Sequence, residues 1–321
     1  MAEHYLAWWN VENLFDREWY AGRSEKLTRT LQGELAGWTQ QLLSKKLDQL
    51  ASVINRLNGG KGPDIMGLCE VESRHVLELL VTRLTSRHYA IIHADTADNR
   101  GIDVAFLYDP AKFKTKKSET FFHVIIKRSA TRDLVQANFT VKATGRKLVL
   151  VGNHWPSRSE GEMESEPYRM AAGETLAYYH ERIRELLGND IAVVAMGDFN
   201  DEPFNRSLTD YALSCGCRET VINANNPCFF NVMWPLLAEG VGTYYFNRPH
   251  VLDQFLLSRG MVTGAAGFSL VAGSVAREIF PGMADSSDYH KPVSFGRPTD
   301  KLNDQGYSDH FPISLRLLEA S

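Results

Sequence analysis

"VVAMGDFNDEP", residues 193–203, is the stretch whose reading decides the fold. Four apolar residues in a row, followed by Gly197, read as a strand covered on both faces, because an alternating pattern is needed only where one face meets water. The run stops on Asp198, Asn200, Asp201 and Glu202, and Pro203 follows. A proline lacks the N–H and the freedom in φ to continue a ladder, so the chain must leave the sheet there. The strand therefore acts as a rigid mount for Asp198 and Asn200. Asp201 and Glu202, at the turn itself, read as capping or solvated residues.

The same design recurs along the chain. "HYLAWWN" ends on Asn10, "DIMGLCE" on Glu70 and "KLVLVGNH" on His154; "HVLD" reaches Asp253 ahead of "QFLLS", and "YSDHFPISLRLL" opens with Asp309 and His310. Helical spacing appears between these strands. "QQLLSKKLDQLASVINRL" carries apolar residues three and four apart and stops at Asn58, Gly59 and Gly60, a C-terminal signal. Ser73 is placed to cap "RHVLELLVTRL", and Pro167 suits the first turn of "YRMAAGETLAYYHERIRELL", which ends at Gly188. Helices do not follow every strand. Neighbouring pairs, "IDVAFLY" with "FFHVII" and "DLVQANF" with "RKLVLVG", suggest antiparallel hairpins. The expected architecture is α/β, with two packed mixed sheets and helices outside them. No repeat or low-complexity linker divides the chain, so residues 1–321 read as one domain, with long rims at residues 19–37, 215–242 and 272–306.

Bulk composition narrows the classes. With 321 residues, 44% of them hydrophobic, the chain can bury a large core. A net charge of −4 argues against a protein that holds nucleic acid by overall charge. There is no apolar run of the ~18 residues a spanning helix needs, and the N-terminus lacks a secretory pattern, so the expected location is cytoplasmic. Cys69, Cys215, Cys217 and Cys228 are too few and too clustered for a disulfide framework and are read as free, buried thiols.

If the strands lie side by side, their polar ends meet at one edge: Asn10, Glu12, Glu70, His154, Asp198, Asn200, Asp253, Asp309 and His310. Oxygen donors without clustered thiols favour Mg²⁺ or Mn²⁺ over zinc, and such ions keep open positions for phosphate oxygens. Taken singly, each of these residues reads as a turn former or helix cap before it reads as a catalyst. Together they form a pattern.

In that pattern the sequence resembles the endonuclease/exonuclease/phosphatase superfamily of metal-dependent phosphodiesterases. The matching segments are "WNVENLF", "LCEVES", "GNHWPSR", "GDFNDEP", "LDQFLLS" and "SDHFPI", from Trp9 to Ile313, in the family's order and spanning nearly the whole chain. The resemblance implies a four-layered α/β sandwich with its site at one edge of the two sheets. It also implies roles: Glu70 as principal metal ligand, with Asn10 and Asp309 supporting the metal site and Glu12 a looser match to a metal-site acid. Asp198 would orient and deprotonate the attacking water, and Asn200 would hold a phosphate oxygen. His310 would contact the phosphate with Asp253 fixing its tautomer, and either His310 or Asp198 is the base. His154 would stabilise charge on the phosphoryl oxygens or protonate the leaving group.

The motifs depart from those of the abasic-site enzymes and the inositol phosphatases, and His154 brings the pattern nearer to pancreatic-type deoxyribonucleases and sphingomyelinases, with "NVENLFD" resembling a bacterial nuclease-like branch. Arg158 reads as a substrate contact. "KFKTKK" (residues 112–117) reads first as a solvated hairpin turn and Tyr244 and Tyr245 first as core or rim packing; the alternatives are that the lysine run and "IKRSATR" (residues 126–132) track a phosphate backbone and that Trp155, Tyr244 and Tyr245 stack on bases. The leading expectation is a metal-dependent nuclease acting on DNA or RNA. The other is a phosphodiesterase or phosphatase for a small molecule or lipid headgroup, which the acidic net charge favours.

Overall fold

The structure, a computed structural model, describes residues 1–321. In chain order the strands begin with β1 (Ala2–Leu14), β2 (Ile65–Val71), β3 (Ala90–Ile92), β4 (Asp103–Tyr108), β5 (Phe113–Lys114) and β6 (Thr120–His123). Next come β7 (Leu134–Val141), β8 (Lys147–His154), β9 (Ala192–Asp198), β10 (Ser214–Cys215), β11 (Phe229–Asn231) and β12 (Tyr244–Phe246). The last are β13 (Arg248–His250), β14 (Asp253–Leu257), β15 (Phe268–Leu270), β16 (Ala276–Arg277) and β17 (Ile313–Glu319). Four helices matter for the argument: α1 (Glu25–Leu31), α2 (Gln40–Gly60), α3 (Arg74–Val81) and α4 (Glu162–Leu187).

One sheet has the order β15-β17-β1-β2-β4-β3, with β16 also on β17; the other runs β10-β11-β14-β9-β8-β7-β5, with β6 also on β7. Both are mixed: β1 and β2 are parallel and so are β8 and β9, while their outer neighbours are antiparallel. Side chains alternate across each strand. In β1, Leu6 and Trp8 face the other sheet, and Tyr5, Ala7 and Trp9 face the helices. In β9, Val194 and Met196 face inward while Val193 and Ala195 meet α4. Three apolar layers result, one between the sheets and one under the helices on each outer side, which makes the four-layered α/β sandwich. This double coverage explains why the central strands are unbroken apolar runs.

The expected helix over "QQLLSKKLDQLASVINRL" is α2, and Ser73 caps α3 by accepting from Val76 N–H. Helix α4 ends at Gly188 as expected but begins earlier, at Glu162, so Pro167 lies inside it and not in its first turn. The hairpin of β7 with β8 forms. The hairpin expected between "IDVAFLY" and "FFHVII" does not: β4 stays in the first sheet, and β6 pairs with β7 in the second. The chain crosses after Asp109, whose carboxylate accepts from Ala111 N–H and Arg87, and Phe113 joins the inter-sheet core. The three long rims are only partly irregular, since α1 occupies the first, and β10, β11 and two short helices occupy the second. No helix is long and apolar enough to cross a membrane. The four cysteines are free, but only Cys69 is buried.

Candidate active site

Register builds the centre. His154 pairs with Asp198 across β8 and β9, and Asp253 pairs with Asp198 across β14 and β9, so three adjacent strands deliver three chemical groups in a row. On the facing sheet, β1 brings Asn10 alongside Cys69 of β2, one residue before Glu70. Both β1 and β2 are irregular here, and Glu12, Asn13 and Glu70 adopt left-handed φ values of 52°, 55° and 64°. Asn200, just beyond β9, has φ 51°. A left-handed glutamate costs about 1–2 kcal/mol, so the strain at Glu70 must be held by its surroundings, a common feature of functional sites. The hold is visible: Asn13 N–H donates to Glu70 Oε2 at 2.8 Å.

Asn10, Glu70, His154, Asp198, Asn200, Asp309 and His310 line a cleft of about 640 Å³ that also includes Arg158, Tyr244, Phe246 and His250. His310 Nδ1 lies 2.7 Å from Asp253 Oδ2, and Trp8 reaches across the sandwich to donate its indole N–H to Asp253 Oδ1 at 3.1 Å. Trp8 can lie there because Gly67 has no side chain, where a Cβ would come within 2.4 Å of the indole ring. Ser308 accepts from His310 N–H and donates to the Asn10 carbonyl, and Trp9 donates to the His310 carbonyl at 2.8 Å. His310 is thereby tied to both sheets.

Asp198 sits in the middle. Its Oδ1 accepts from Asn200 N–H at 2.9 Å and its Oδ2 from the Asn10 amide at 3.1 Å. The same Oδ2 is 3.9 Å from Nε2 of both His154 and His310. That gap exceeds a hydrogen bond and leaves space for an oxygen between the two imidazoles. His154 Nε2 is also 3.7 Å from Glu70 Oε1.

The environment sets the charges apart. Burial, opposed by His310 and reinforced by Asp253, raises Asp198 to about 6. Removal from bulk water, then Glu12 and Glu70, raise Asp309 to about 7 against the pull of His310. His310 is raised well above the usual histidine value, because the carboxylates of Asp253 and Asp198 outweigh burial. His154 is lowered well below it by burial, then by Arg132, His310 and Arg100. One imidazole is thus held charged and the other neutral, a separation typical of acid–base pairs.

Two groupings of donors merit comparison as metal sites. Asp198, Asp253 and His310 place one ligand atom each within 4.8 Å of the others. The His310–Asp253 hydrogen bond engages donors of that grouping, however, and a charged imidazolium repels a cation. Glu70 and Asp309 line the same cleft outside that pairing, and the repulsion by Glu12 and Glu70 that adds to burial in raising Asp309 is what a cation would relieve.

Some expected residues play other parts. Glu12 does not offer its carboxylate to the cleft: it accepts from Ser294 Oγ and from the Phe295 and Gly296 amides, and lies 3.7 Å from the fully buried Lys46 ammonium. It anchors the 272–306 rim. Asn10 presents its amide nitrogen to Glu70 and Asp198 while its Oδ1 accepts from Glu12 N–H, so it bridges two acids instead of offering an oxygen to a cation. The Trp155 indole has no exposed surface, packing edge-on against Phe199 with its N–H on Asn153, so it cannot stack on a base. Its carbonyl instead accepts from Asn200 Nδ2 at 3.0 Å.

Arg158 lines the cleft, but its guanidinium is largely engaged by the Asn200 carbonyl, Asp201, Asn205 and Glu162. Asp201 and Glu202 are neither solvated nor simple caps. Asp201 is buried between Arg158, Arg169 and Ser207, and Glu202 pairs with Arg248 and His250. Within the lysine run, Lys112 is not a backbone contact, since it binds Asp64 before the start of β2. That is the opposite end of the strand from Glu70, about 20 Å away at ~3.3 Å per residue. Lys46 and His250 carried no signal in the sequence, their roles depending on contacts with distant segments, whereas Ser308 stood in the "SDHFPI" segment without a role assigned to it.

A model of the Endonuclease/Exonuclease/phosphatase family matches residues 5–319. The chain belongs to that family. Its members are phosphoester hydrolases, and the family depends on a divalent metal. Among curated proteins no sequence match is found. Solved structures share the fold. D. rerio TDP2 complexed with single strand DNA product has 18% identity and a TM-score of 0.60, covering 99% of this chain and 100% of that one. The human Nocturnin catalytic domain with bound sulfate has 16% identity and a TM-score of 0.54, over 99% and 95%. A mannosyl-6-phosphatase from Bacteroides thetaiotaomicron has 15% identity and a TM-score of 0.54, over 98% and 99%.

Proposed function

We propose that residues 1–321 form a single catalytic domain that hydrolyses phosphodiester bonds in nucleic acid with the help of Mg²⁺ or Mn²⁺. The observation that carries this reading is the wall of the cleft beside His310. The Tyr244 ring lies 4.8 Å from the imidazole, and Phe246, 63% exposed, extends the same wall. Base–aromatic stacking contributes about 1–3 kcal/mol per base, and a single phosphate would not require such a surface.

Glu70 and Asp309 would hold the metal, which when bound neutralises phosphoryl charge and orients the ester. Asp198, with a pKa of about 6, is ionised at neutral pH yet basic enough to align and deprotonate water, and its Oδ2 faces the space between the imidazoles. His310, kept charged and oriented by Asp253, donates toward a phosphoryl oxygen. Asn10 keeps Asp198 and Glu70 apart at a fixed spacing, and Asn200 has one amide N–H left for a phosphate oxygen. His154 is neutral, so it can accept or relay a proton but adds no charge of its own. Arg158 shapes the loop after β9 and keeps little donor capacity for substrate.

A second reading, a hydrolase of small phosphoesters, is favoured by one feature: the first turn of α4 at the cleft carries Glu164 besides Glu162, which is paired to Arg158. That turn would repel a long polyanion. The test is hydrolysis of plasmid, single-stranded DNA, RNA, bis-p-nitrophenyl phosphate and p-nitrophenyl phosphate with Mg²⁺, Mn²⁺ or EDTA, using the natural protein and Glu70→Gln. Metal-dependent cleavage of a nucleic acid, lost in Glu70→Gln, supports the first reading. Turnover of the small esters alone establishes the second, and turnover unaffected by Glu70→Gln overturns the site.

A further inference from the structure

We propose a second metal site, remote from the cleft, in which His93, Asp95 and Asp103 bind a divalent cation of the Zn²⁺ or Mn²⁺ class and staple the loop between β3 and β4. The three residues stand at the two roots of that loop, and one ligand atom of each lies within 4.8 Å of the others.

An orphaned nitrogen points to the ion. The His93 side chain is 1% exposed, and its Nε2 is buried with no hydrogen-bond partner. It faces Asp103 Oδ2 at 3.8 Å; Asp95 Oδ1 lies 3.8 Å from the other ring nitrogen, Nδ1, so an ion held by Nε2 and Asp103 would gain Asp95 by a turn of its exposed side chain. A separation of 3.8 Å is too long for a hydrogen bond, which ends near ~3.2 Å. It is within a few tenths of an ångström of the ~3.4 Å between two ligands on one tetrahedral zinc. A donor and an acceptor free to meet directly would close that distance, since a buried polar atom left unpaired costs about 1–3 kcal/mol.

The surroundings suit a cation. Neither Asp95 nor Asp103 pairs with a lysine or arginine; the basic side chain beside each is His93. Asp103 Oδ1 is held by the Thr96 amide and hydroxyl, which leaves Oδ2 free and oriented, the usual arrangement behind a metal-binding carboxylate. A polar cavity of about 240 Å³ borders Asp95, Thr96 and Asp103 and opens a route from solvent. One imidazole among two carboxylates selects a transition-type ion over Mg²⁺ or Ca²⁺.

Holding the loop would matter for the cleft. From it, Arg100 donates to the Asn13 side chain at 2.6 Å, and Asn13 is the residue whose N–H holds Glu70. Asp98 pairs with Arg132, which donates to the Trp155 carbonyl next to His154. The ion would be structural, bracing the residues around both ends of the cleft without touching substrate.

The experiment counts metal. Natural protein, His93→Ala and Asp95→Ala are stripped with EDTA, dialysed, and titrated with ZnCl₂ or MnCl₂ by calorimetry, with bound metal counted by elemental analysis. Asp95 is 82% exposed, so its substitution leaves folding intact even if His93→Ala does not fold. The expected result is one fewer equivalent of zinc in each variant, with the equivalent in the natural protein resisting excess Mg²⁺ and persisting in Glu70→Gln. Equal stoichiometry in the natural protein and Asp95→Ala would overturn the proposal, as would loss of the same equivalent in Glu70→Gln.

Discussion

Replacing His180 with leucine should remove a large part of the protein's sensitivity to acid. His180 lies on α4, 2% exposed, stacked on Phe229 at 3.8 Å with its Nε2 unpartnered. Burial, and secondarily Arg184, push it down to about 3. An unfolded chain protonates histidine near ~6.5. Between those values the unfolded state binds the extra proton, so the contribution is complete above pH 6.5 and is lost as the pH falls toward 3. At pH 5 the lost portion spans about 1.5 units, worth about 2 kcal/mol at ~1.4 kcal/mol per unit. Asp198 and Asp309, raised to about 6 and about 7, act in the opposite direction over part of this range. The natural protein alone could therefore show a nearly flat curve. The assay is urea unfolding of natural protein and His180→Leu at pH 8, 6.5 and 5, because the difference between the two cancels every shared titration. The stability of His180→Leu relative to the natural protein should rise by about 2 kcal/mol from pH 8 to pH 5. Parallel curves would refute the reasoning.

Two further outcomes follow from the site. Asp253→Asn removes the acceptor that orients His310, and the rate on the best substrate should fall by about 10²–10⁴, with the fold kept as judged by circular dichroism; a change under threefold would remove Asp253 from the machinery. Asp201→Asn takes the buried counter-charge from Arg169 and Arg158, and urea unfolding should show a loss of about 3 kcal/mol with an unchanged denaturant slope.

Much of the site was legible in local patterning because strands buried on both faces have a blunt signature, and the polar residues that end them stand out. His154, Asp198 and Asp253 could be picked from the chain because each adjoins an apolar run. Trp155 could not be judged this way: its neighbours look like a rim, yet the ring is covered by Phe199. Glu12 and Asn10 were visible as polar ends, but which atoms they engage depends on Lys46, the 294–296 segment and Asp198, which come from elsewhere in the chain.

The amino-acid sequence by itself determined the strand mounts, the Ser73 cap of α3, the Gly188 end of α4 and the supply of acids, amides and histidines. Those are matters of spacing among near neighbours. Only the tertiary structure decided that β4 and β6 belong to different sheets, that Asp201 and Glu202 are buried ion-pair partners, and that the pKa values of His154 and His310 are shifted in opposite directions. Each of these depends on what distant segments remove from water and place within a few ångströms, and in a low-dielectric interior that proximity sets both pairing and protonation.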